Sequence, residues 1–425
     1  MHRLLLQASA SRLAALSTDD LLWRPYGEPS SVETTLGPRL EGLGSVPPVH
    51  ADFVRLAALA FFVDRTVPRP RMLRRVLAIE VAVSDPSVWE PHSERLAALL
   101  GLLTGDEWSI SWRRGREPRL GDLTEPPSGD LCVLFSGGAD STCGVAIAHS
   151  AGRRPILVSH FDWRNIGGQQ NKALTALEAA LGVKPSSVSW RFARIGSQVG
   201  SQAEFQNETS RRSRSLLFIA LGSAVAASTG NDLWIAENGF TSLNPPLTAE
   251  SLGALSTRTT HPAFVRGLVE VLRDVGLSVH VESRFADMTK GQMFSVVATA
   301  LGDAKRAGEL LSETHSCGKP LQDVHREPDA PCGVCLGCLV RRGAFIAAGL
   351  RDDTPYIERT LTGTARRAWL SPKRRSVYQA LQDRLDVGFE EEDILDLGLP
   401  DDFDLDTALQ LLRDGLNELA QVQIP

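Results

Sequence analysis

The sequence predicts an α/β protein built around a parallel sheet with helices on both faces. The first observation is that short apolar runs alternate with helical patterns from Leu131 onward. The second is that glycines and polar residues, beginning with Ser136–Ser141, follow directly after these apolar runs. The third is length, since 425 residues exceed what one hydrophobic core supports. Two or three structural units are therefore expected.

Residues 1–125 are predicted to form a small α+β module, after an irregular stretch rich in glycine and proline. A helix, a strand, a second helix and a second strand are expected at residues 51–63, Val76–Val83, Ser93–Leu103 and Trp108–Trp112. A basic run then holds Arg113, Arg114, Arg116 and Arg119. Such a run is typical of a solvated face, and a site for a phosphate or a partner is the alternative. The boundary is placed in residues 121–130, which have the composition of a linker.

Residues 126–350 are predicted to form the main domain, in which strands and helices alternate. The expected strands are Leu131–Phe135, Pro155–Phe161, Ser187–Phe192, Leu233–Glu237 and Ser278–Glu282. The expected helices begin after Ser141 and at Gly168–Leu181, Leu216–Ala227, Pro262–Leu272 and Lys290–Ala300. In such a sheet, right-handed crossovers bring ligands to the carboxyl ends of the strands. The residues that fall there are Ser136–Ser141, Asp162, Glu237, Asn238 and the segment before Lys290.

Residues 351–425 are predicted to form a helical appendage that packs on the core or makes an oligomer contact. Helices are expected at Ser371–Leu385, which opens with a Ser-Pro start signal, and at Leu405–Leu419, which carries an apolar stripe.

The six residues Ser136-Gly137-Gly138-Ala139-Asp140-Ser141 have the composition of an anion site. A glycine turn between a strand and a helix lets the backbone approach a ligand, and free N–H groups at the helix start point into the turn. Ser136 and Ser141 add hydroxyl donors, and Asp140 can cap the helix or hold Mg²⁺. An ordinary strand-to-helix turn is the alternative.

The net charge of -6 disfavours a protein whose main task is to grip a nucleic-acid backbone. No apolar run approaches the roughly 20 residues of a membrane span. The first 20 residues resemble a targeting segment only faintly and are expected to belong to the folded protein. The expected location is the cytoplasm.

Four of the six cysteines cluster near the end of the main domain and predict a metal site. They are Cys317, Cys332, Cys335 and Cys338. Four thiolates suit tetrahedral zinc in a structural role, since all-sulfur ligation leaves no open position. The alternatives are buried free cysteines, a redox pair or an iron–sulfur cluster, and His315 or His325 could replace one thiolate.

The loop resembles the pyrophosphate-binding signature of the PP-loop ATP pyrophosphatases. This loop and the cysteine segment together resemble the two motifs of the 7-cyano-7-deazaguanine synthases (QueC). The cysteine segment here is Cys332-Gly333…Cys335…Cys338-Leu339-Val340-Arg341. Further similarity lies at Asp162-Trp163, at Ser213-Arg214-Ser215 and at Lys290, and the resemblance spans roughly residues 131–348. Three features depart from the family: WRNIGGQQ follows Asp162, a loop separates the first cysteine from the others, and both flanking segments are extra. Larger QueC-like proteins of antiphage defence operons, such as QatC of the Qat system and the component of type IV CBASS, share such extensions.

The resemblance implies a PP-loop (HUP-like) fold and an enzyme that uses ATP, with Mg²⁺ and Zn²⁺, to adenylate a 7-carboxy-7-deazaguanine-type carboxylate. Ser136, Gly137, Gly138, Asp140, Ser141 and Asp162 would bind ATP. Asp140, Arg214 and Lys290 would be catalytic, and Trp163, Glu237 and Asn238 would contact the substrate. Arg214 and Lys290 as solvated helix-start residues are the alternative.

The acceptor implied by the resemblance is ammonia, giving an amide and then a nitrile, or an amine of a partner protein from the same operon. The sequence also leaves a homo-oligomer open. The rival functions are another PP-loop ligase or tRNA-modifying enzyme, and a non-catalytic, nucleotide-binding scaffold stabilised by zinc.

Overall fold

The computed structural model describes residues 1–5, 19–24, 28, 30–37, 40, 43–70, 74–115, 126–162, 164–194, 208, 212–245, 247, 258–318, 330–358 and 372–422. Of the predicted site residues, Trp163 lies outside the described residues. Arg116, Arg119 and His325 lie outside them as well.

The first 115 residues contain five strands and three α-helices in the described ranges. In chain order they are β1 (His2–Leu5), β2 (Asp20–Leu22), β3 (Val32–Thr34), α1 (Pro48–Thr66), β4 (Val76–Val83), α2 (Pro86–Trp89), α3 (Ser93–Thr104) and β5 (Glu107–Arg114). Four of the strands form one sheet in the order β2-β1-β4-β5, and every neighbouring pair is parallel.

The parallel pairing corrects the expectation of an α+β module. β4 and β5 are joined through α3 and lie side by side in parallel, which is the arrangement of a β–α–β unit. The apolar patterns of β4 and β5 predicted these two strands, but such a pattern carries no information on the direction in which strands pair. The first two arginines of the basic run belong to β5 and lie on a solvated face, where Arg113 pairs with Glu80 and Arg114 with Asp85, each at 3.1 Å.

The second sheet is built from the middle of the chain. Its strands and helices are β6 (Leu131–Leu134), α4 (Ala139–Ser150), β7 (Pro155–Phe161), α5 (Arg164–Leu181), β8 (Ser186–Arg194), α6 (Arg214–Thr229), β9 (Asp232–Ile235), α7 (Gly239–Leu243), α8 (Pro262–Asp274), β10 (Val281–Ser283), α9 (Lys290–Leu301) and α10 (Ala304–Ser312). The strand order is β10-β9-β6-β7-β8-β3. All pairs from β10 to β8 are parallel, and β3 adds to the β8 edge in antiparallel direction.

The order of the second sheet reverses at β6, so that this sheet is doubly wound. Alternate residues of β6 point into different cores: Leu131 and Val133 pack with α4, α5, α9 and α10. Cys132 and Leu134 pack on the opposite face, with α1, α6 and α8. The crevice between β6 and β9, where the strand order reverses, is the ligand position favoured by open α/β sheets.

Helix α1 joins the two sheets into one hydrophobic core. It is buried on all sides from His50 to Thr66, as expected for a helix that is apolar around most of its surface. It packs on β4 of the first sheet and on α6 of the second. Residues of the first 115 and residues of the second sheet therefore share one apolar cluster, which includes Phe61, Val81 and Ile219.

The rest of the described chain is helical. Its helices are α11 (Leu336–Ala347), α12 (Pro372–Val387), α13 (Glu391–Leu395) and α14 (Leu405–Ala420). Helix α14 packs against α11 and α7, and its apolar stripe closes a third cluster that also contains Cys317, Cys332 and Cys338. Among the described residues, no helix combines the length and the apolar character needed to cross a membrane.

Candidate functional site

The loop between β6 and α4 has a backbone that requires glycine. Gly137 has a φ of +76°, and a Cβ atom added there would lie 2.9 Å from Cα of Gln170. A Cβ on Gly138 would lie 3.1 Å from Oγ of Ser136. Gly138 is the N-cap of α4 and supplies no side-chain cap, so the helix start stays accessible. This is the geometry in which backbone N–H groups bind an anion.

Two serine hydroxyls frame the same loop. The Gly138 N–H donates to Oγ of Ser136 at 3.2 Å, and the Ser141 hydroxyl donates to the Gly138 carbonyl at 3.0 Å. The two Oγ atoms are 3.3 Å apart. Both side chains line a cavity of about 370 Å³, so the hydroxyls can serve a ligand as well as the loop.

Three buried polar side chains meet beside the loop. Nζ of Lys290, the first residue of α9, donates to Oδ1 of Asp140. Nδ2 of Asn238, which caps α7, donates to Oδ2 of Asp140 at 2.8 Å. Burial disfavours the charged carboxylate, but the Lys290 ammonium and these hydrogen bonds hold the pKa of Asp140 below its usual value. Asp140 is therefore an ionised carboxylate at neutral pH.

Glu237 provides a second carboxyl group in contact with Asp140. Burial and the negative charge of Asp140 raise the pKa of Glu237 to about 8, in spite of the nearby Lys290. Lys290 balances the charge of Asp140, so Glu237 keeps its proton at neutral pH unless a further cation binds. Two adjacent carboxyl groups of which only one is balanced could hold a Mg²⁺ ion, which prefers carboxylate oxygens and would take the place of that proton.

Arg214 lies on the other side of the loop. It begins α6, its guanidinium stacks over Phe218 at 5.0 Å, and it donates to the His160 carbonyl at 3.5 Å. The 370 Å³ cavity is lined by Arg214 together with apolar and hydroxyl side chains, among them Ile219, Thr259 and Thr260. Its mixed lining suits a heterocyclic ligand.

A smaller cavity of about 230 Å³ continues from the first. Ser136 and Glu237 line both cavities, while Asp140, Lys290 and His315 line only the smaller one. The loop therefore lies between a larger, partly apolar space and a smaller, charged space. Such a division suits a nucleotide whose base and phosphates need different surroundings.

Asp162 follows β7 at the same edge of the sheet, but its carboxylate faces Arg65. The Arg65 guanidinium lies 3.4 Å from Oδ2 of Asp162, and both side chains are largely buried. Arg65 belongs to α1, in the segment before the second sheet. Sequence patterns contained no signal for this contact.

The four predicted cysteines are brought together. Their Sγ atoms all lie within 4.8 Å of one another. Zinc–sulfur bonds of about 2.3 Å in a tetrahedron place sulfur atoms about 3.8 Å apart. Three of the pairs measure 3.9, 3.9 and 3.5 Å. The cluster could therefore hold a metal ion, and the all-sulfur donor set fits zinc.

Backbone geometry supports the cysteine cluster. Gly333 has a φ of +80°, and Sγ of Cys332 accepts the N–H groups of Val334 and Cys335 at 3.5 and 3.3 Å. Hydrogen bonds from N–H groups favour the thiolate, which is the form that binds metal.

The segment before Cys317 connects the cluster to the loop. The His315 N–H donates to the Gly137 carbonyl at 3.2 Å. The fully buried Arg341, on α11, donates to the Thr314 hydroxyl at 2.6 Å and to the Leu311 carbonyl. Sequence reasoning did not assign His315 to the loop, and only its proximity to Cys317 could have suggested it.

The chain was compared with known proteins. No family model and no solved structure gives a significant match. The 7-cyano-7-deazaguanine synthase of Novosphingobium aromaticivorans is 27% identical over 241 residues, covering 53% of this chain and 93% of the relative. The enzyme of the same name from Cupriavidus pinatubonensis is 28% identical over 243 residues, covering 53% of this chain and 96% of the relative. The one from Syntrophobacter fumaroxidans is 27% identical over 253 residues, covering 53% of this chain and 95% of the relative. Distant homologues of this chain are therefore 7-cyano-7-deazaguanine synthases, which supports a QueC-like enzyme.

Proposed function

We propose that this protein is an ATP-dependent synthase that adenylates the carboxylate of a 7-carboxy-7-deazaguanine-type substrate. The observation that carries the proposal is the position of the Ser136–Ser141 loop between a cavity of about 370 Å³ and a charged cavity of about 230 Å³. One anion-binding loop at the junction of two cavities suits a reaction at the α-phosphate of ATP. The names of the distant relatives support the deazaguanine class of substrate.

In this proposal the loop binds the β- and γ-phosphates of ATP. Ser136, Gly137, Gly138 and Ser141 supply backbone N–H groups and hydroxyls to the phosphate oxygens. Asp140 and Glu237 are the carboxylates that would hold Mg²⁺, whose positive charge offsets that of the triphosphate. Asn238 keeps Asp140 in place through its amide.

The first step forms an acyl-adenylate. A carboxylate oxygen of the substrate attacks the α-phosphorus, and the bond between that phosphorus and the bridging oxygen breaks, so that pyrophosphate leaves. Negative charge grows on the phosphate oxygens during this step. Arg214 and Lys290, on opposite sides of the loop, are placed to stabilise that charge.

In the second step, ammonia attacks the acyl carbon, AMP leaves and a proton is lost, giving the amide. The amide oxygen then attacks the α-phosphorus of a second ATP and pyrophosphate leaves. Loss of AMP and of the two N–H protons gives the nitrile. An amine of a partner protein is the alternative acceptor and would give a conjugate at the second step. A role in antiphage defence belongs to this alternative, which draws its support from the segments outside the family resemblance.

Asp162 and Trp163 are assigned to the edge of the nucleotide and substrate sites on the strength of the family resemblance. For Asp162 the ion pair with Arg65 supports a positioning role at this edge. The rival functions, a nucleotide-binding scaffold or a different PP-loop ligase, predict other outcomes when release of AMP and pyrophosphate is measured.

The deciding assay measures release of AMP and pyrophosphate from ATP with 7-carboxy-7-deazaguanine and ammonia. We expect AMP release that depends on the carboxylate, together with amide or nitrile by mass spectrometry. AMP release without nitrile, with mass gained by a protein of the same operon, would select the conjugate. ATP binding without AMP release would favour the non-catalytic scaffold. AMP release that occurs only with tRNA, or only with another carboxylate, would favour a different ligase.

A pair of lysine variants sharpens the assay. Lys290→Met is expected to lower kcat by about 100- to 1000-fold, since it removes a charge that stabilises the transition state. The control is Lys305→Met on α10, whose side chain is 86% exposed and is expected to leave kcat unchanged. Because Lys290→Met also leaves Asp140 buried without its cation, the double variant with Asp140→Asn tests whether stability returns while activity does not.

A further inference from the structure

We infer that the segments flanking residues 126–350 position the two cations of the candidate site. Arg214 and Lys290 each begin a helix, and each helix start is held by a buried carboxylate from outside that range, Asp64 or Glu418. The inference rests on the proposed function, because it takes these two cations as parts of the ATP site. Asp64 and Glu418 act through the helix starts and are positioning residues.

Glu418 holds the start of α9 from the C-terminal helix α14. Its Oε1 and Oε2 accept the Gly291 N–H at 3.1 and 3.0 Å, and Oε1 also accepts the hydroxyl of Thr289. Thr289 is the N-cap of α9, so both donors flank Lys290 in the chain. A Cβ atom at position 291 would overlap the Glu418 carboxylate, so a side chain there would displace this contact.

Asp64 holds the start of α6 from α1. Its Oδ2 accepts the N–H of Ser213 at 3.2 Å and the Ser213 hydroxyl at 2.7 Å. Ser213 is the N-cap of α6 and directly precedes Arg214. The other oxygen of Asp64 pairs with Arg75 at 2.6 Å, so the carboxylate is itself held by the N-terminal segment.

The two arrangements use the same chemistry. In each, one carboxylate accepts a backbone N–H and the N-cap hydroxyl at a helix start, where negative charge is also favoured by the helix dipole. Burying a carboxylate costs free energy that apolar packing would avoid. Leu412 and Leu419 already bury α14 by apolar contact, so packing does not account for a buried carboxylate at Glu418. Holding the start of α9 in place accounts for it.

The experiment compares Glu418→Gln and Asp64→Asn with matched carboxylate controls on the same helices. Asp406→Asn lies near the start of α14, where the Asp406 side chain is exposed. Asp52→Asn lies on α1, where Asp52 is buried against Arg55 and Ser84, away from Ser213. Steady-state AMP release is measured at a temperature at which every variant is folded, and hydrogen exchange is followed in peptides covering residues 212–218 and 288–294.

Glu418→Gln and Asp64→Asn are expected to lower kcat by about 10- to 100-fold, because a displacement of about 1 Å at a reacting group can cost up to about 100-fold. The KM for ATP is expected to change much less, since the loop is untouched. Exchange is expected to rise at the affected helix start alone. Asp406→Asn should match the wild type, and Asp52→Asn should lose stability with kcat unchanged.

An unchanged kcat in both test variants would overturn the inference, as would an equal loss of kcat in Asp52→Asn. If the wild-type protein releases no AMP, the proposed function fails by itself. The exchange measurement then decides: faster exchange confined to the two helix starts supports positioning, and unchanged exchange there overturns it.

Discussion

The buried Asp140–Lys290 pair shows how individual residues shape the candidate site. Both side chains are largely buried, and Asn238 takes the second oxygen of the carboxylate. A buried ion pair is a costly feature unless its remaining hydrogen-bonding positions are filled. Here Lys290 and Asn238 occupy both oxygens of the Asp140 carboxylate, so that a negative and a positive charge are held beside the Ser136–Ser141 loop. Removing one partner alone is expected to cost about 3 to 5 kcal/mol of stability.

Gly138 gives the first prediction at this scale. In Gly138→Val the added side chain would fill the space between Ser136 and the start of α4, where phosphate is expected. ATP affinity should fall below detection by calorimetry, while circular dichroism stays unchanged. Gly168→Ala is the control, since a Cβ atom there meets nothing within 4 Å. Unchanged ATP affinity in a folded Gly138→Val protein would refute the phosphate assignment.

Glu237 gives the second prediction, on pH dependence. Burial and the charge of Asp140 raise the pKa of Glu237 from 4.5 to about 8. Between these values the folded state keeps a proton that the unfolded state releases, so this group's contribution to stability falls as pH rises. Without added Mg²⁺, Tm should therefore decline from about pH 5 to pH 8 more steeply in the wild type than in Glu237→Gln. Parallel curves for the two proteins would contradict the assigned shift.

At the scale of elements, the turn that carries the cysteines connects the cysteine cluster to the Ser136–Ser141 loop. Cys335 caps α11, Arg341 on the same helix fixes the segment 311–316, and His315 bonds to Gly137. The cluster therefore supports one wall of the smaller cavity. A structural metal there would stabilise the loop without taking part in the reaction.

The third prediction concerns this metal. Elemental analysis should find about one zinc per chain, because four thiolates complete one tetrahedral site. Cys335→Ser should lose the zinc and lower Tm, with a smaller effect on kcat in the protein that stays folded. Cys132→Ala is the matched control, since Cys132 is a buried cysteine of the second sheet outside the cluster. Finding iron, or a stable protein without metal, would exclude the zinc site.

At the scale of the whole molecule, the N-terminal segment is built into the second sheet. β3 pairs with β8 along residues 32–34, and α1 covers the face of the sheet that carries α6. Arg65 and Asp64 reach the site from the same helix. A segment so placed supports the candidate site directly.

The fourth prediction is that deleting residues 1–125 destroys the fold of the remainder. The deletion exposes the apolar residues of α6 and β8 that α1 and β3 cover, including Phe192 and Phe218. The truncated chain should be insoluble or be cleaved rapidly in limited proteolysis, and co-expression of residues 1–125 should restore it. A soluble residue 126–425 protein with cooperative unfolding and full AMP release would contradict this. Because the truncated chain is not expected to fold, the partner-protein acceptor has to be tested in the full chain.

The sequence alone determined the local features of this protein. Apolar runs and helical spacing predicted most elements to within a few residues, and Val76–Val83 and Pro155–Phe161 coincide with strands of the structure. The spacing of four cysteines predicted a cluster that the structure confirms. These features depend on neighbours in the chain, whose physical preferences a sequence pattern records directly.

The tertiary structure decided how distant segments meet. The parallel pairing of the first sheet, the antiparallel β3 edge and the contacts of Asp64, Arg65 and Glu418 had no local signature. Asp64 and Ser213 are 149 residues apart, and Glu418 and Gly291 are 127 apart. Periodicity shows which residues are buried but not which partner buries them, so a carboxylate on α1 or α14 looks like any other until the fold brings it to a helix start.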